Sequence, residues 1–117
     1  MKHLQSGRKF HRKKGQRVAL FKNLLNNLIL REKMETTEAK AKTIKSKVEK
    51  LITAAKKQNP AVFRLLLSRL SNKKTVEKLY FTLASRYKNR QGGYTRIIKS
   101  AKQRTRDGAK MATIEFV

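Results

Sequence analysis

The sequence predicts an α+β domain in which four helices cover a small three-stranded sheet in two layers, behind a basic N-terminal extension. Apolar residues recur at intervals of three and four from residue 18 to residue 87, as on the buried face of a helix. After residue 93 the interval changes to two, the spacing of a strand with one buried face. The predicted order of elements is α-β-α-α-α-β-β, and a chain of 117 residues suits one such domain.

A basic arm is predicted over residues 1–17, ahead of a single globular domain over residues 18–117. The arm has no acidic residue, and after Met1 its only large apolar side chains are Leu4 and Phe10. Because so little apolar surface cannot offset the entropy of ordering, we expect the arm to fold only against a partner. Arginine-rich segments commonly fold on RNA. The arm residues predicted to bind RNA are Lys2, His3, Gly7, Arg8, Lys9, Arg12, Lys13, Lys14 and Arg17.

The first helix is predicted over residues 18–31, and a short strand over residues 33–37, where two β-branched threonines lie together. The apolar stripe of this helix contains Phe21, Leu24, Leu25 and Leu28. Thr36 or Thr37 can cap the second helix, which is predicted to reach about residue 57. Its apolar face is formed by Ile44, Val48, Leu51, Ile52 and Ala55.

Asn59 followed by Pro60 predicts a cap and a proline at the first position of a third helix. The buried face of that helix contains Phe63, Leu66, Leu67 and Leu70. Ser71 or Asn72 then starts a fourth helix, which is predicted to end at the glycine pair 92–93. Its apolar stripe contains Val76, Leu79, Tyr80, Leu83 and Tyr87. Strands are predicted over residues 94–99 and 111–117, and Ala112, Ile114 and Phe116 share one face of the second.

The charge of the chain indicates a polyanionic partner. The chain has 31 Lys and Arg against 7 Asp and Glu, a net charge of +24, and such a chain repels itself strongly in isolation. Nucleic acid is the favoured partner, because each cation that neutralises a phosphate releases a counterion. An anionic membrane surface is the rival, although no segment is long and apolar enough to span a membrane.

The sequence offers little that is typical of an enzyme. There is no cysteine, and His3 and His11 lie in the arm with no carboxylate nearby, so neither a disulfide nor a zinc site is predicted. The carboxylates are scattered among lysines, and no pair suggests acid–base chemistry. We therefore predict no catalysis, no metal, no cofactor and no small-molecule substrate.

Two basic clusters follow the arm. Five lysines of the second helix are interpreted as its solvated side, namely Lys40, Lys42, Lys45, Lys47 and Lys50. The second cluster surrounds the glycine pair and the last loop, and an aromatic residue among its cations could stack on an unpaired base. Packing in the core is an equally good interpretation of Tyr94, and both stay open. The residues of this cluster predicted to bind RNA are Arg90, Gly92, Gly93, Tyr94, Arg96, Lys99, Lys102, Arg104 and Arg106.

Several short motifs along the whole chain resemble one family. They are Met1-Lys2-His3, Gly7-Arg8-Lys9, Arg17, Phe21-Lys22-Asn23-Leu24, Thr36-Thr37, Ala39-Lys40-Ala41-Lys42, Arg90-Gln91-Gly92-Gly93-Tyr94-Thr95-Arg96-Ile97, Met111-Ala112 and Ile114-Glu115. In these motifs the chain is similar to the bacterial large-subunit ribosomal protein seventeen family. The Gly-Gly-Tyr-Thr-Arg-Ile run is the most specific part of the match.

The resemblance implies a structural role in the large ribosomal subunit, where the N-terminal extension penetrates 23S-type ribosomal RNA. It adds Lys22 and Asn23 to the expected RNA contacts, and it implies neighbouring large-subunit proteins as partners with no membrane. A cytoplasmic ribosome is favoured over an organellar one. An architectural DNA-binding protein is the alternative that the charge alone permits.

The chain departs from the family pattern at Gln16, where histidine is common, and at Arg106, where glycine commonly precedes the aspartate. The first departure puts one RNA contact in doubt. The second leads us to expect a slightly different conformation of the last loop.

Overall fold

The computed structural model of the protein describes residues 13–117, except for the side chain of Lys102. Residues 1–12, which make up most of the predicted arm, lie outside the described residues. Within the described part, four helices and a three-stranded sheet follow one another in the predicted order. The predicted α+β class is therefore confirmed.

The elements are α1 (Lys14–Arg31), β1 (Lys33–Thr37), α2 (Glu38–Ala55), α3 (Pro60–Leu70), α4 (73–86), β2 (Thr95–Gln103) and β3 (Lys110–Phe116). Helix α4 is α-helical over Lys73–Glu77, π-helical over Lys78–Leu83 and α-helical again over Ala84–Arg86. The strand order is β1-β3-β2, and both neighbouring pairs are antiparallel. Ile114 at the centre of β3 therefore lies between Met34 of β1 and Ile97 of β2.

The core lies between the helices and one face of the sheet. Helix α2 contacts all three strands, and its apolar face is completely buried at Ile44, Val48 and Ile52. Along β3 burial alternates as predicted, with Ala112, Ile114 and Phe116 facing the core. Leu28, Ile29, Leu66, Leu70, Leu79 and Leu83 complete the core from the other helices.

Local signals start three of the helices. The Thr37 side chain accepts a hydrogen bond from the Lys40 amide at 3.4 Å, and Asn59 accepts one from the Val62 amide at 2.8 Å. The Asn72 side chain accepts from the Lys74 amide at 3.0 Å and caps α4. Thr37 and Asn72 are thus the caps, rather than the adjacent Thr36 and Ser71.

Helix α1 begins four residues before the predicted start. Its first main-chain bond, from the Arg17 amide to the Lys13 carbonyl, measures 2.8 Å, so residues 14–17 of the predicted arm are helical. Residues 13–16 are exposed. The apolar pattern that predicted the helix has no signal there, because a turn with no buried face shows no periodicity.

Two predicted helix ends were wrong. Helix α2 ends at Ala55 rather than near residue 57, and α4 ends at Arg86, well before the glycine pair. At Tyr87 the backbone leaves the helix with φ −105° and ψ 18°. The Tyr87 hydroxyl then donates a hydrogen bond to the Val117 carbonyl at 2.7 Å, and its ring packs 5.4 Å from that of Tyr94. These contacts with residues beside β2 and β3 end α4. The apolar period of the helix does not encode them.

An ion-pair network joins the end of α1 to α4. Glu32, at the left-handed position after α1 with φ 65°, forms an ion pair with Arg86 and another with Lys78, the latter at 3.1 Å. Lys78 also donates a hydrogen bond to the Leu30 carbonyl at 2.8 Å. The hydrogen bond from Arg86, with further help from Lys78, lowers the pKa of Glu32 from 4.5 to about 2.

Replacing Glu32 by glutamine is expected to lower the free energy of unfolding at pH 7 by about 1 kcal/mol, because solvent screens a carboxylate that is 35% exposed. The pKa is lower in the folded protein, so the contribution is complete above about pH 4.5 and is lost as the pH falls towards 2. Urea denaturation of both proteins between pH 7 and pH 2.5 measures the difference. A difference that stays constant over this range would contradict the assignment.

Candidate nucleic-acid interface

The N-terminal end of α1 combines free amide groups with basic side chains. The cap residue Lys13 provides no side-chain hydrogen bond, and the first turn contains no acidic residue. The first amides of a helix point outward and carry a partial positive charge, which normally attracts acidic side chains. Here Lys14 and Arg17 occupy these positions instead. This end of α1 is therefore suited to an anion from outside the domain.

A groove lies between α1, α2 and α3, and we call it the helical groove. It has a volume of about 450 Å³. Its apolar lining consists of Val18, Phe21 and Leu25 of α1 with Leu51 of α2. Its polar lining consists of Lys22, Lys47, Lys50, Ser68 and Arg69.

The electrostatics of the helical groove are one-sided. Four of the described residues that line it are cationic and none is acidic. Within the part of the chain that the structure describes, Lys50 and Arg69 form no ion pair, whereas Lys47 lies 4.8 Å above the Phe21 ring and Lys22 donates to Ser71 at 2.8 Å. Cations held this close repel one another, and a bound polyanion relieves that repulsion. The groove thus offers an apolar floor and a cationic rim.

The face of α1 that lines the helical groove extends to the first turn of the helix. Lys14, Val18, Lys22 and Leu25 lie three or four residues apart and so share one face of α1. The first basic turn of α1 is therefore an extension of the groove. The thirty-one residues at the start of the chain contain no acid, since Glu32 is the first in the sequence.

The predicted glycine turn lies next to the helical groove. Gly92 and Gly93 have φ values of 114° and 60°, which L side chains rarely adopt. Gly92 lines a shallow hollow against α2 together with Glu49 and Lys50, and Lys50 also lines the helical groove. The structure therefore brings the glycine turn and the groove together on one side of α2, with Lys50 between them.

The sequence left Tyr94 open between RNA contact and packing, and the structure places its ring in the core. Only 2% of the residue is exposed, because its ring packs against Tyr87 inside the core. Its hydroxyl accepts a hydrogen bond from Lys56 at 3.0 Å, which lowers the tyrosine pKa, with a further contribution from Thr53. A ring in this position cannot stack on a base in the folded domain. Of the two interpretations of Tyr94, packing is the one that the structure supports.

Three predicted cations of the second cluster are paired with carboxylates of the protein. The Arg96 side chain contacts Glu115 directly across the β2–β3 pair at 2.8 Å, and Lys99 lies 3.6 Å from Glu38. Arg104 donates to Asp107 at 3.0 Å. Each can still meet a phosphate at the surface, but part of its charge is already compensated. Arg96, Lys99 and Arg104 therefore differ from Lys50 and Arg69 of the helical groove, which form no ion pair within the described residues.

The loop between β2 and β3 is closed by its own hydrogen bonds. Asp107 accepts from Arg104 and from the Ala109 amide, and the hydrogen bond from Arg104 lowers the pKa of Asp107 to about 2. Arg106 is not among the described residues with positive φ, whereas Gly108 has a φ of 66°. The arginine at a position where the family commonly has glycine thus needs no unusual backbone.

The remaining predicted residues are spread out. The side chains of Asn23, Arg90 and Arg106 are exposed, and Lys22 is half-buried. Lys102 lies in β2, and its side chain is not among those that the structure describes. Lys2, His3, Gly7, Arg8, Lys9 and Arg12 lie outside the described residues. Three cations of the helical groove were not among the predicted RNA contacts, namely Lys47, Lys50 and Arg69. The period of α2 alone makes its lysines look solvated, and it does not reveal the helices on either side.

Other kinds of site find no support in the described residues. Across residues 13–117, no group of three or more His, Asp or Glu residues is placed to hold a metal ion. The same part of the chain has no helix with the length and apolar character needed to cross a membrane.

The fold and the helical groove define a small basic α+β protein suited to binding a polyanion. The chain belongs to the ribosomal protein L17 family, whose model matches residues 20–117. It is similar over its whole length to proteins named large ribosomal subunit protein bL17. It is 50% identical to the one from Sulfurihydrogenibium sp., covering 97% of that protein, and 51% identical to the one from Persephonella marina, covering 95%. Identity to the Thermus thermophilus protein is 43%, with 99% of that protein covered. The family resemblance found in the motifs is confirmed.

Proposed function

We propose that this protein is a structural constituent of the large ribosomal subunit, where it binds and stabilises large-subunit rRNA during assembly. The relatives are named as large-subunit proteins, and membership of their family supports the same role here. The single observation that carries the mechanism is the helical groove, with four cations in its lining and no acid among the described lining residues. Neighbouring large-subunit proteins are the further partners of this proposal.

Binding combines a preformed surface with the N-terminal arm. The folded domain presents the groove and the basic first turn of α1 to the rRNA backbone, and counterion release supplies affinity that does not depend on sequence. The predicted arm over residues 1–17 adds the charges of Lys2, Arg8, Lys9 and Arg12 on binding RNA. In the cytoplasmic ribosome, the protein holds RNA in place and performs no catalysis.

Replacing Lys2, Arg8, Lys9 and Arg12 together by glutamine is expected to weaken binding to protein-free large-subunit rRNA by about 30-fold, because the entropy of ordering offsets part of each phosphate contact. The slope of log K against log salt should become less steep by about 3. Filter binding at several salt concentrations measures both. The variant keeps the length of the chain, and far-ultraviolet circular dichroism checks that the domain is folded. Unchanged affinity and slope would show that the arm does not bind RNA.

Competition separates the ribosomal role from an architectural DNA-binding protein. A DNA architectural protein binds duplex DNA and structured RNA with similar affinity. The proposed rRNA protein retains its complex with large-subunit rRNA when duplex DNA is present at an equal concentration of phosphate. Loss of the rRNA complex under these conditions would favour the DNA alternative.

A further inference from the structure

An exposed aromatic cluster lies at the other end of α3 from the helical groove. Phe63 of α3 packs edge to face with Tyr80 of α4 at a ring distance of 5.1 Å, and Tyr80 packs in the same way with Phe81 at 5.0 Å. Phe81 is 59% exposed, the largest value among the exposed large hydrophobic residues that the structure describes. Together with Pro60 and Arg64, these rings line an open hollow of about 540 Å³. We call this surface the aromatic hollow.

The backbone beneath the aromatic hollow is unusual. Tyr80 and Phe81 lie in the π-helical part of α4, whereas Leu79 and Leu83 of the same segment are completely buried. Segments of π-helix are rare, and they occur frequently at functional sites. The core contacts of Leu79 and Leu83 therefore hold the two rings on a rigid element. The exposure of Phe81 is not explained by packing within this domain.

The charge around the hollow favours an anionic occupant. Arg64 is the only charged residue in its lining, and within the described residues it forms no ion pair. Helix α3 begins at Pro60, so the positive end of its dipole lies at the same hollow. Glu77, one turn before Phe81, does not belong to the lining. An aromatic face beside an unpaired arginine matches a nucleotide, whose base stacks on the ring while its phosphate meets the guanidinium.

We propose that the aromatic hollow binds an unpaired nucleotide of single-stranded RNA, whose base stacks on Phe81 and whose phosphate contacts Arg64. This inference rests on the proposed rRNA-binding function and adds a second contact of a different kind. The helical groove takes the backbone of structured RNA through charge. The aromatic hollow takes a base through its π face, which every base has and which a duplex does not expose.

Substitution of Phe81 tests the proposal on the full chain. Phe81→Ala is expected to weaken binding to an unstructured 12-nucleotide single-stranded RNA by about tenfold, because stacking on an aromatic side chain contributes on this scale. Binding to duplex RNA of the same length should stay within twofold. Arg64→Ala should lower the salt slope for the single strand by about 0.7. Fluorescence anisotropy of labelled RNA measures all three.

The matched control is Leu65→Ala, which removes a side chain that is 46% exposed on α3, the helix of Arg64, and that does not line the hollow. It should leave single-strand affinity unchanged. Phe81→Ala could bind the single strand as tightly as the unaltered protein while large-subunit rRNA is still bound. That result would overturn the hollow as a nucleotide site and leave the proposed function standing. If the unaltered protein does not bind large-subunit rRNA, the proposed function itself fails.

Crosslinking in assembled subunits distinguishes RNA from protein as the occupant. A photoreactive benzoylphenylalanine replaces Phe81, and purified large subunits that contain the variant are irradiated. Attachment to rRNA supports the proposal. Attachment to another protein overturns it and identifies the hollow as a protein-docking surface.

Discussion

Reversing two charges of the helical groove, with Lys50→Glu and Arg69→Glu, is expected to weaken binding to large-subunit rRNA on the order of 100-fold, or about 2.7 kcal/mol. Both side chains are exposed, and neither has an ion-pair partner within the described residues, so the full loss falls on the bound state. Each lost phosphate contact lowers the salt slope by about 1, so the double variant should lose about 2. Filter binding across a salt series measures affinity and slope together.

The control for this experiment changes the same net charge elsewhere. Lys57→Glu and Lys73→Glu alter two exposed cations that do not line the groove. A general effect of net charge would weaken both double variants alike, whereas a local site weakens only the first. An equal loss of rRNA affinity in the two double variants would show that the groove is not the binding surface.

The elements that sequence analysis predicted best are those with a local cause. Asn59 and Pro60 start α3 as predicted, because a side-chain cap and a proline at the first position act within four residues of each other. The alternation along β3 also appears as predicted, since one face of a strand must be buried wherever the sheet covers a core. The order of all seven elements follows from such signals.

The ends of α1 and α4 depend on what surrounds them. Residues 14–16 are helical and exposed, so no apolar pattern marks them. Helix α4 ends early because Tyr87 joins Tyr94 and Phe116 in the core, and Phe116 is distant from Tyr87 in sequence. The glycine pair was the stronger local signal for a helix end, but tertiary contacts decided the position.

The candidate site also depends on tertiary contacts that single elements do not predict. A lysine-rich helix face and an isolated arginine give no sign of forming one surface, because Lys50 and Arg69 meet only when α2 packs beside α3. Periodicity assigns each side chain to the exposed or the buried side of its own helix. It cannot identify the neighbouring helix, so the charge of a groove between helices is not predictable from one element at a time.

Tyr94 is the residue whose sequence neighbours differ most from its surroundings in the structure. Its arginine neighbours in the sequence suggested a stacking site, but Arg90 and Arg96 point to the surface while the tyrosine ring is buried. The turn at Gly92 and Gly93 redirects the chain, and this allows the ring to enter the core at the start of β2.

Replacing Tyr94 by leucine is expected to lower the free energy of unfolding by about 2 to 3 kcal/mol, because a smaller side chain leaves a cavity beside Tyr87. Tyr94→Phe keeps the ring and removes only the hydroxyl that accepts from Lys56, so it should cost about 1 kcal/mol. Urea denaturation measures both. If the ring only packs, the folded leucine variant binds rRNA within twofold of the unaltered protein. A tenfold loss of affinity in a fully folded leucine variant, with binding retained in the phenylalanine variant, would instead show that the aromatic ring contacts RNA.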